Sequence, residues 1–518
     1  MRALALAGLM LALPLAAQAQ TFSTYLGGQQ QERAYGVTVH PNGKIYVVGS
    51  AISDGLGKSG GAGPTLNLMR APGSGSGPGT NDGYVASYLP GGRLEFFTYL
   101  GNLPNNWSAS VNAIAVNGDG KLVVAGYAGS IPHGATGIGT VHGQTDAFVA
   151  LIEPTGTGSW TFAPIGGMLG ESALGVAIRK DPASGKDTYY LTGWTASTDL
   201  TGALNACSGC AVPSHNADAF VAKFDDQLHL VASRYLGAPT GYTFAKGIAI
   251  GPQGEVVITG LTTASGLATA NVGFPEGKTG GVGPDLSDAF VARFDSNLSQ
   301  LEFFCYLGGE NQEGGVGELH YTPEGIAVDG QGNVYVTGVS TSYSLRKDAG
   351  PHAKLFPTKN AIPKSATPGP YVAKLRPEPG PMGGYNLDWS TCLGTHVGTS
   401  DARGLALRTD SRGETHVWVT GMVGHSPAAG DAALLAKNGN PSQPGQNAFL
   451  AELDANGNLE YASCLAACPA TEDVRSMGLA FTSSGKPVIV GTVRCGTFLP
   501  SPLVPHSGDS DAFVWTLP

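Results

Sequence analysis

Four short apolar segments recur in the same order seven times, and that repetition limits the chain to a narrow set of folds. The first is a Gly- or Ala-punctuated run: GVTV (36–39), AIAV (113–116), GVAI (175–178), GIAI (247–250), GIAV (325–328), GLAL (404–407) and GLAF (478–481). The second follows a short turn and ends on glycine, as in KIYVVG or NVYVTG, closing at Gly49, Gly126, Gly193, Gly260, Gly338, Gly421 and Gly491. The third is DAFVA or a variant, starting at 82, 146, 218, 288, 369, 447 and 511. The fourth is TYLGG or a variant, starting at 24, 98, 164, 234, 305, 391 and 463. The starts of the third segment are spaced by roughly 64–81 residues. Four β-rich segments repeated at a fixed period describe one supersecondary unit stacked on its copies, as in propeller blades. Turns such as HPNG, NGDG and DGQG between the first two segments suit tight hairpins, and their Asn/Asp-Gly pairs read as turn residues rather than calcium loops.

Composition fits such a unit. Gly occurs 78 times in 518 residues and charged residues are only 13%, which suits many short strands joined by glycine-rich turns. The net charge is −10, and no basic patch or nucleic-acid motif is present, so nucleic acid is not an expected partner. Arg2, an apolar run and Ala17-Gln18-Ala19 read as a secretory signal over 1–19, leaving a mature domain at 20–518 outside the cytoplasm, whether periplasmic, cell-surface or extracellular. No other stretch is apolar enough for a membrane span.

The motifs DAFVARFD, LEFFCYLGG and GIAVDGQGNVYVTG, all within 288–338, resemble the seven-bladed β-propeller repeat family of secreted and surface bacterial proteins (SBBP-type repeats). The resemblance covers essentially the whole mature chain and implies an all-β propeller of seven four-stranded antiparallel blades. It implies no catalytic residue. Similar units in other propellers begin with the innermost strand, so the four segments are labelled a to d from axis to rim. The chain starts with a lone d strand at 21–28 and ends on an a–b–c set, GLAF (478–481), KPVIVG (486–491) and DAFVWTLP (511–518). Pairing the two closes the ring and removes two sheet edges.

Loops then alternate between two faces. The b–c loops are long, from 19 to about 32 residues, and they share one face with the d–a loops, which makes that face the expected binding surface. The residue before each strand a points toward the central mouth: Tyr35, Asn112, Leu174, Lys246, Glu324, Arg403 and Met477, with Asp401 beside them. Of these, Tyr35, Asn112, Lys246, Glu324, Asp401 and Arg403 are the candidate ligand-binding residues, a set suited to a polar or carboxylated ligand and read as exposed. The alternative for the set is a self-neutralising ring of charges.

The repeated Asp (Asp82, Asp146, Asp218, Asp288, Asp511) reads as structural, since catalysis does not need five copies, and a short carboxylate at a loop-to-strand junction binds backbone N–H groups. The loop histidines His133, His142, His215, His352, His425 and His506 come from five blades without a metal-binding pattern, so no metal and no cofactor is assigned. Cys207 with Cys210, and Cys468 with Cys495, are candidate disulfides in an exported chain. The function read from all this is a secreted, monomeric binding scaffold for a glycan, peptide or protein. The alternative is an extracellular or periplasmic enzyme, a lyase, lactonase or hydrolase of sugars or lactones, with its site at the mouth.

Overall fold

The turn between strands a and b is built the same way in six of the seven blades. The first turn residue donates its N–H to the fifth and accepts from a glycine in between, as in His40 N to Lys44 O (2.9 Å) and Gly43 N to His40 O (2.8 Å). The glycine is left-handed each time: Gly43, Gly120, Gly254, Gly332, Gly413 and Gly485 have φ between +81° and +90°, a region that costs a side chain more than it costs glycine. Asn117, Asp329 and Asp410 add a carboxylate or amide oxygen that accepts two backbone N–H groups of the same turn. These three residues are turn builders, in the sense of an Asx turn.

A computed structural model describes residues 21–53, 56, 81–100, 108–132, 135–155, 160–205, 217–264, 267, 287–308, 325–340, 369–378, 383–394, 400–425, 437–440, 445–468, 474–496, 498–499 and 502–517. Its strands form seven sheets, each ordered a–b–c–d. The innermost strands are Glu32–Val39, Ala109–Val116, Glu171–Lys180, Thr243–Ile250, Ile326–Val328, Asp401–Thr409 and Val474–Phe481. Each contacts the next around the axis, and the last contacts the first. The d position of the seventh sheet is filled by Phe22–Leu26, which pairs antiparallel with Asp511–Thr516. No helix long and apolar enough to cross a membrane occurs among the described residues.

Among the described residues, two sheets carry a fifth strand. Ala135–Gly137 and Ala203–Asn205, both within stretches the sequence assigns to b–c loops, lie parallel to strand d of the second and third blades. They cover outer edges that would otherwise present unpaired backbone groups. The core lies between blades. Tyr46 and Val48 of the first blade pack with Val111, Val124 and Phe148 of the second, and equivalent layers recur around the ring. Cys468, at the end of strand d in the sixth blade, is disulfide-bonded to Cys495 beyond strand b of the seventh. Cys207 and Cys210 lie outside the described residues. Cys305, Cys392 and Cys464 are buried free thiols in d strands, and burial pushes all three up to about 12.

One irregularity is repeated around the ring. In six blades strand a carries an extra residue opposite strand b: the register shifts across Ala34/Gly36, Val111/Ala113, Ala173/Gly175, Ala245/Gly247, Ala402/Gly404 and Ser476/Gly478. Each shift is a β-bulge, which leaves one residue unpaired and turns its side chain away from the regular alternation. The bulge also pushes a carbonyl toward strand b. A Cβ on Gly49, Gly126, Gly193, Gly260, Gly421 or Gly491 would stand 1.8–2.1 Å from that oxygen, belonging to Arg33, Ser110, Ser172, Phe244, Asp401 and Arg475 respectively. In these six blades the glycine that closes the second segment is therefore the space the bulge needs. Gly260→Ala is expected to lower stability by at least about 2 kcal/mol, the range of strained or clashing substitutions. Gly330→Ala, where an added Cβ meets nothing within 4 Å, is expected to change it by less than about 0.5 kcal/mol. Urea midpoints of the two variants measure both.

Candidate functional site at the axial mouth

The residues left unpaired by the six bulges are Tyr35, Asn112, Leu174, Lys246, Arg403 and Met477. All six line one cavity of about 170 Å3 on the ring axis. Beneath them the same cavity is lined by an aliphatic ring with one side chain from each blade: Val37, Ile114, Val176, Ile248, Ile326, Leu405 and Leu479. The mouth is thus a polar and mixed tier resting on an apolar tier. The bulged tier lies nearer the starts of the a strands, the side reached by the b–c segments, and all of it but Tyr35 is buried, whereas every aliphatic side chain but Ile248 is partly exposed. Glu324, the candidate from the fifth blade, lies outside the described residues.

Several of these side chains are committed to the ring itself. Asn112 Nδ2 donates to Ala173 O (2.8 Å) and to Ser172 Oγ (3.2 Å) of the next blade, while its Oδ1 accepts from Ser110 Oγ (2.7 Å). Tyr35 shares a hydrogen bond of 3.3 Å with Ser50 Oγ. Arg403 Nε donates to Asp401 Oδ2 at 2.6 Å, and its Nη1 reaches the Met477 sulfur of the seventh blade at 3.3 Å. The reading of the charged mouth residues as exposed needs correction. Lys246 is 1% exposed and Arg403 2%, because the narrow axis packs the bulged side chains against their neighbours. Truncating Arg403 to Ala would leave Asp401 buried without its cation, so such a variant is not neutral for folding.

The repeated Asp sits at a second, separate junction. A Cβ on Gly27, Gly166, Gly237 or Gly308 would stand 1.8–2.7 Å from the carboxylates of Asp511, Asp146, Asp218 and Asp288. The LG pair of strand d is therefore the roof over the Asp that opens strand c. Below that roof Asp146 Oδ2 accepts from His142 N (2.9 Å), and Asp511 Oδ2 accepts from Ser507 N (2.7 Å). The carboxylate ties the last residues of the b–c segment to the strand that follows. Asn447, buried at the matching place in the sixth blade, donates to Gly445 O at 3.0 Å. Of the six loop histidines, His142 is exposed beside Thr140, and His506 meets the Tyr25 ring edge-on at 5.4 Å. His133, His215 and His352 lie outside the described residues.

A larger cavity, about 470 Å3, opens on the opposite face between the fourth and fifth blades. Its walls include Pro252, Glu255, Glu302, Pro377 and Glu378. Arg293 crosses it, pairing with Glu302 (3.0 Å), donating to Gly383 O (2.8 Å) and lying over the Tyr385 ring (5.1 Å). Loop lengths gave no sign of this cavity, because it is made by side chains of short turns.

A family model described as a β-propeller repeat (SBBP) matches residues 306–346. None of the curated proteins matches the sequence. Among solved structures, the fold is similar to a protein of unknown function from Dyadobacter fermentans DSM 18053, with 9% identity, a TM-score of 0.41, and 96% of this chain and 99% of that one covered. It is also similar to Chaetomium thermophilum Sqt1 bound to the N-terminus of the ribosomal protein L10 (12%, TM-score 0.39, 96% and 100%) and to a gluconolactonase-family structure (10%, TM-score 0.31, 96% and 93%). At such identities and scores, nothing those proteins bind or do carries over to this chain.

Burial raises Asp146 and Asp511 to about 7, and the nearby Glu171 and Glu32 charges add to the shift. An unfolded Asp titrates near 3.9. Between roughly pH 4 and 7 the native state thus holds protons the unfolded chain has lost, and these two groups make stability fall as pH rises through that window. Asp146→Asn keeps an acceptor oxygen for His142 N without a charge to bury. Its urea midpoint relative to the parent protein is expected to rise steadily from pH 4 to pH 8, and a difference that is flat with pH would contradict the buried-carboxylate account.

Proposed function

Because the chain is an SBBP-type β-propeller, we propose that it is a non-catalytic binding scaffold whose ligand inserts into the axial mouth on the face of the long b–c segments. The observation that carries this reading is the ring of six bulges. A bulge costs ladder hydrogen bonds and demands a glycine on the facing strand, and six of them aim side chains into one cavity. A cavity of about 170 Å3 is smaller than a typical ligand pocket of roughly 300–1,000 Å3. It suits the terminal group of a larger ligand whose remainder lies on the surrounding face. Lys246, Asp401 and Arg403 are the charged residues described there, and an Arg fork matches a carboxylate. A glycan ending in a uronic acid or a peptide presenting its C-terminal carboxylate meets these demands.

Calorimetric titration of the full chain with uronate-terminated oligosaccharides and with C-terminal peptides tests the reading. Lys246→Met is the informative variant, since it keeps the volume of a buried position and removes only the charge. Binding of the acidic ligand is expected to weaken at least tenfold in that variant with the thermal midpoint preserved. Binding unaffected by Lys246→Met, with amide protection mapping to the a–b and c–d turns, would move the working site to the other face.

A further inference from the structure

In three blades the join between strands c and d holds a balanced ion pair. The c–d ladder shifts register there, and the bulged residue of strand d is acidic: Glu95, Glu302, Asp388 and Glu460 in the first, fourth, fifth and sixth blades. Three of these have a cation in reach. Glu95 pairs with Lys44 at 2.7 Å, Glu302 with Arg293 at 3.0 Å and Asp388 with Lys374 at 3.4 Å. Arg293 and Lys374 occupy the sixth position of the DAFVAR and GPYVAK motifs.

The sixth blade breaks this rule. Its motif reads NAFLAE, so Glu452 stands where the third, fourth and fifth blades have Lys223, Arg293 and Lys374, and it faces the carboxylate of Glu460 instead of neutralising it. Strand b brings His416 between them. His416 Nδ1 lies 3.1 Å from Glu452 Oε1 and 3.2 Å from Glu460 Oε2. The Nδ1 atom is shielded from solvent and makes no hydrogen bond to either oxygen, while the His416 side chain as a whole is 17% exposed. The ring nitrogen is directed between two carboxylates, at separations that three donors sharing one ion about 2.0–2.2 Å away would show. All three donor atoms lie within 4.8 Å of one another. On the far side of the imidazole, Asp410 Oδ2 stands 3.9 Å from Nε2, the side from which a carboxylate fixes the tautomer of a metal-binding histidine.

We propose that His416, Glu452 and Glu460 form a binding site for a divalent first-row transition-metal ion, on the face opposite the axial mouth. One imidazole nitrogen with two carboxylates suits zinc or manganese better than calcium, which takes oxygen ligands. The ion would join strands b, c and d of one blade and supply the positive charge that Lys44, Arg293 and Lys374 supply in the first, fourth and fifth blades. The site stands independently of any ligand at the mouth.

The test uses the full chain, stripped with chelator and titrated with zinc chloride at pH 7.5 by calorimetry, with the thermal midpoint followed in parallel. A saturable tightest event of one ion per chain is expected, together with a rise in the midpoint. Glu452→Lys, which restores the charge found at this position in the third, fourth and fifth blades and so is expected to fold, should weaken that event at least a hundredfold and abolish the midpoint rise. His416→Ala should do the same. The absence of saturable binding in millimolar zinc would overturn the site and leave a histidinium held between two carboxylates. A tightest event that survives Glu452→Lys unchanged would overturn it equally.

Discussion

The contact on which this structure turns is that between a bulged carbonyl of strand a and a glycine of strand b. Six times around the ring the carbonyl occupies the volume where a Cβ would be. Without the glycine the bulge cannot form, and without the bulge strand a alternates regularly. The residue next to the axis would then point into the blade. Seven strands crowd around one axis, so the space there is scarce, and a side chain enters it only where the backbone makes a local exception. The chain makes that exception in six blades; in the fifth, the residues that precede Gly325 lie outside the described residues.

A second device positions the loops. The Asp that opens strand c is buried beneath the LG glycine of strand d and holds a backbone N–H four residues upstream in the two cases where both partners are described. A buried carboxylate raised to about 7 does not maximise stability at neutral pH. What it supplies is register: it fixes where the long b–c segment ends and the strand begins, and it does so from within the blade. The rigid ring therefore delivers the loop ends to one face at defined places, whatever sequence lies between them.

Much of this was legible in the sequence. Seven copies of a four-segment unit fix the blade count, and the spare TFSTYLGG at 21–28 against the closing DAFVWTLP matches the pairing of Phe22–Leu26 with Asp511–Thr516. The mouth residues were legible as the position before each strand a, because the Gly or Ala that follows marks the axis. Their burial was not, since nothing local reports how tightly seven strands converge, and Lys246 and Arg403 read as exposed for that reason. The bulge itself is a single extra residue and leaves no pattern in one strand. Its trace is the glycine on the partner strand, whose cause is visible only in three dimensions. The edge strands Ala135–Gly137 and Ala203–Asn205 are too short to show a period. The charge reversal at Glu452 stands in plain view as NAFLAE against DAFVAK, but its meaning depends on Glu460 and His416, which other strands contribute.

The coupling of bulge and glycine is tested most directly by a double-mutant cycle in the third blade. Deleting Leu174 removes the bulged residue, and Gly193→Ala fills the space opposite, where the Ser172 carbonyl would lie 1.9 Å from the new Cβ. Urea unfolding of the parent protein, the two single variants and the double variant gives the interaction energy. If the glycine exists to admit the bulge, Gly193→Ala costs at least about 2 kcal/mol in the parent and less than about 1 kcal/mol once Leu174 is gone. An equal cost in both backgrounds would mean that the glycine and the bulge are independent, and the account of the axial mouth would fail with it.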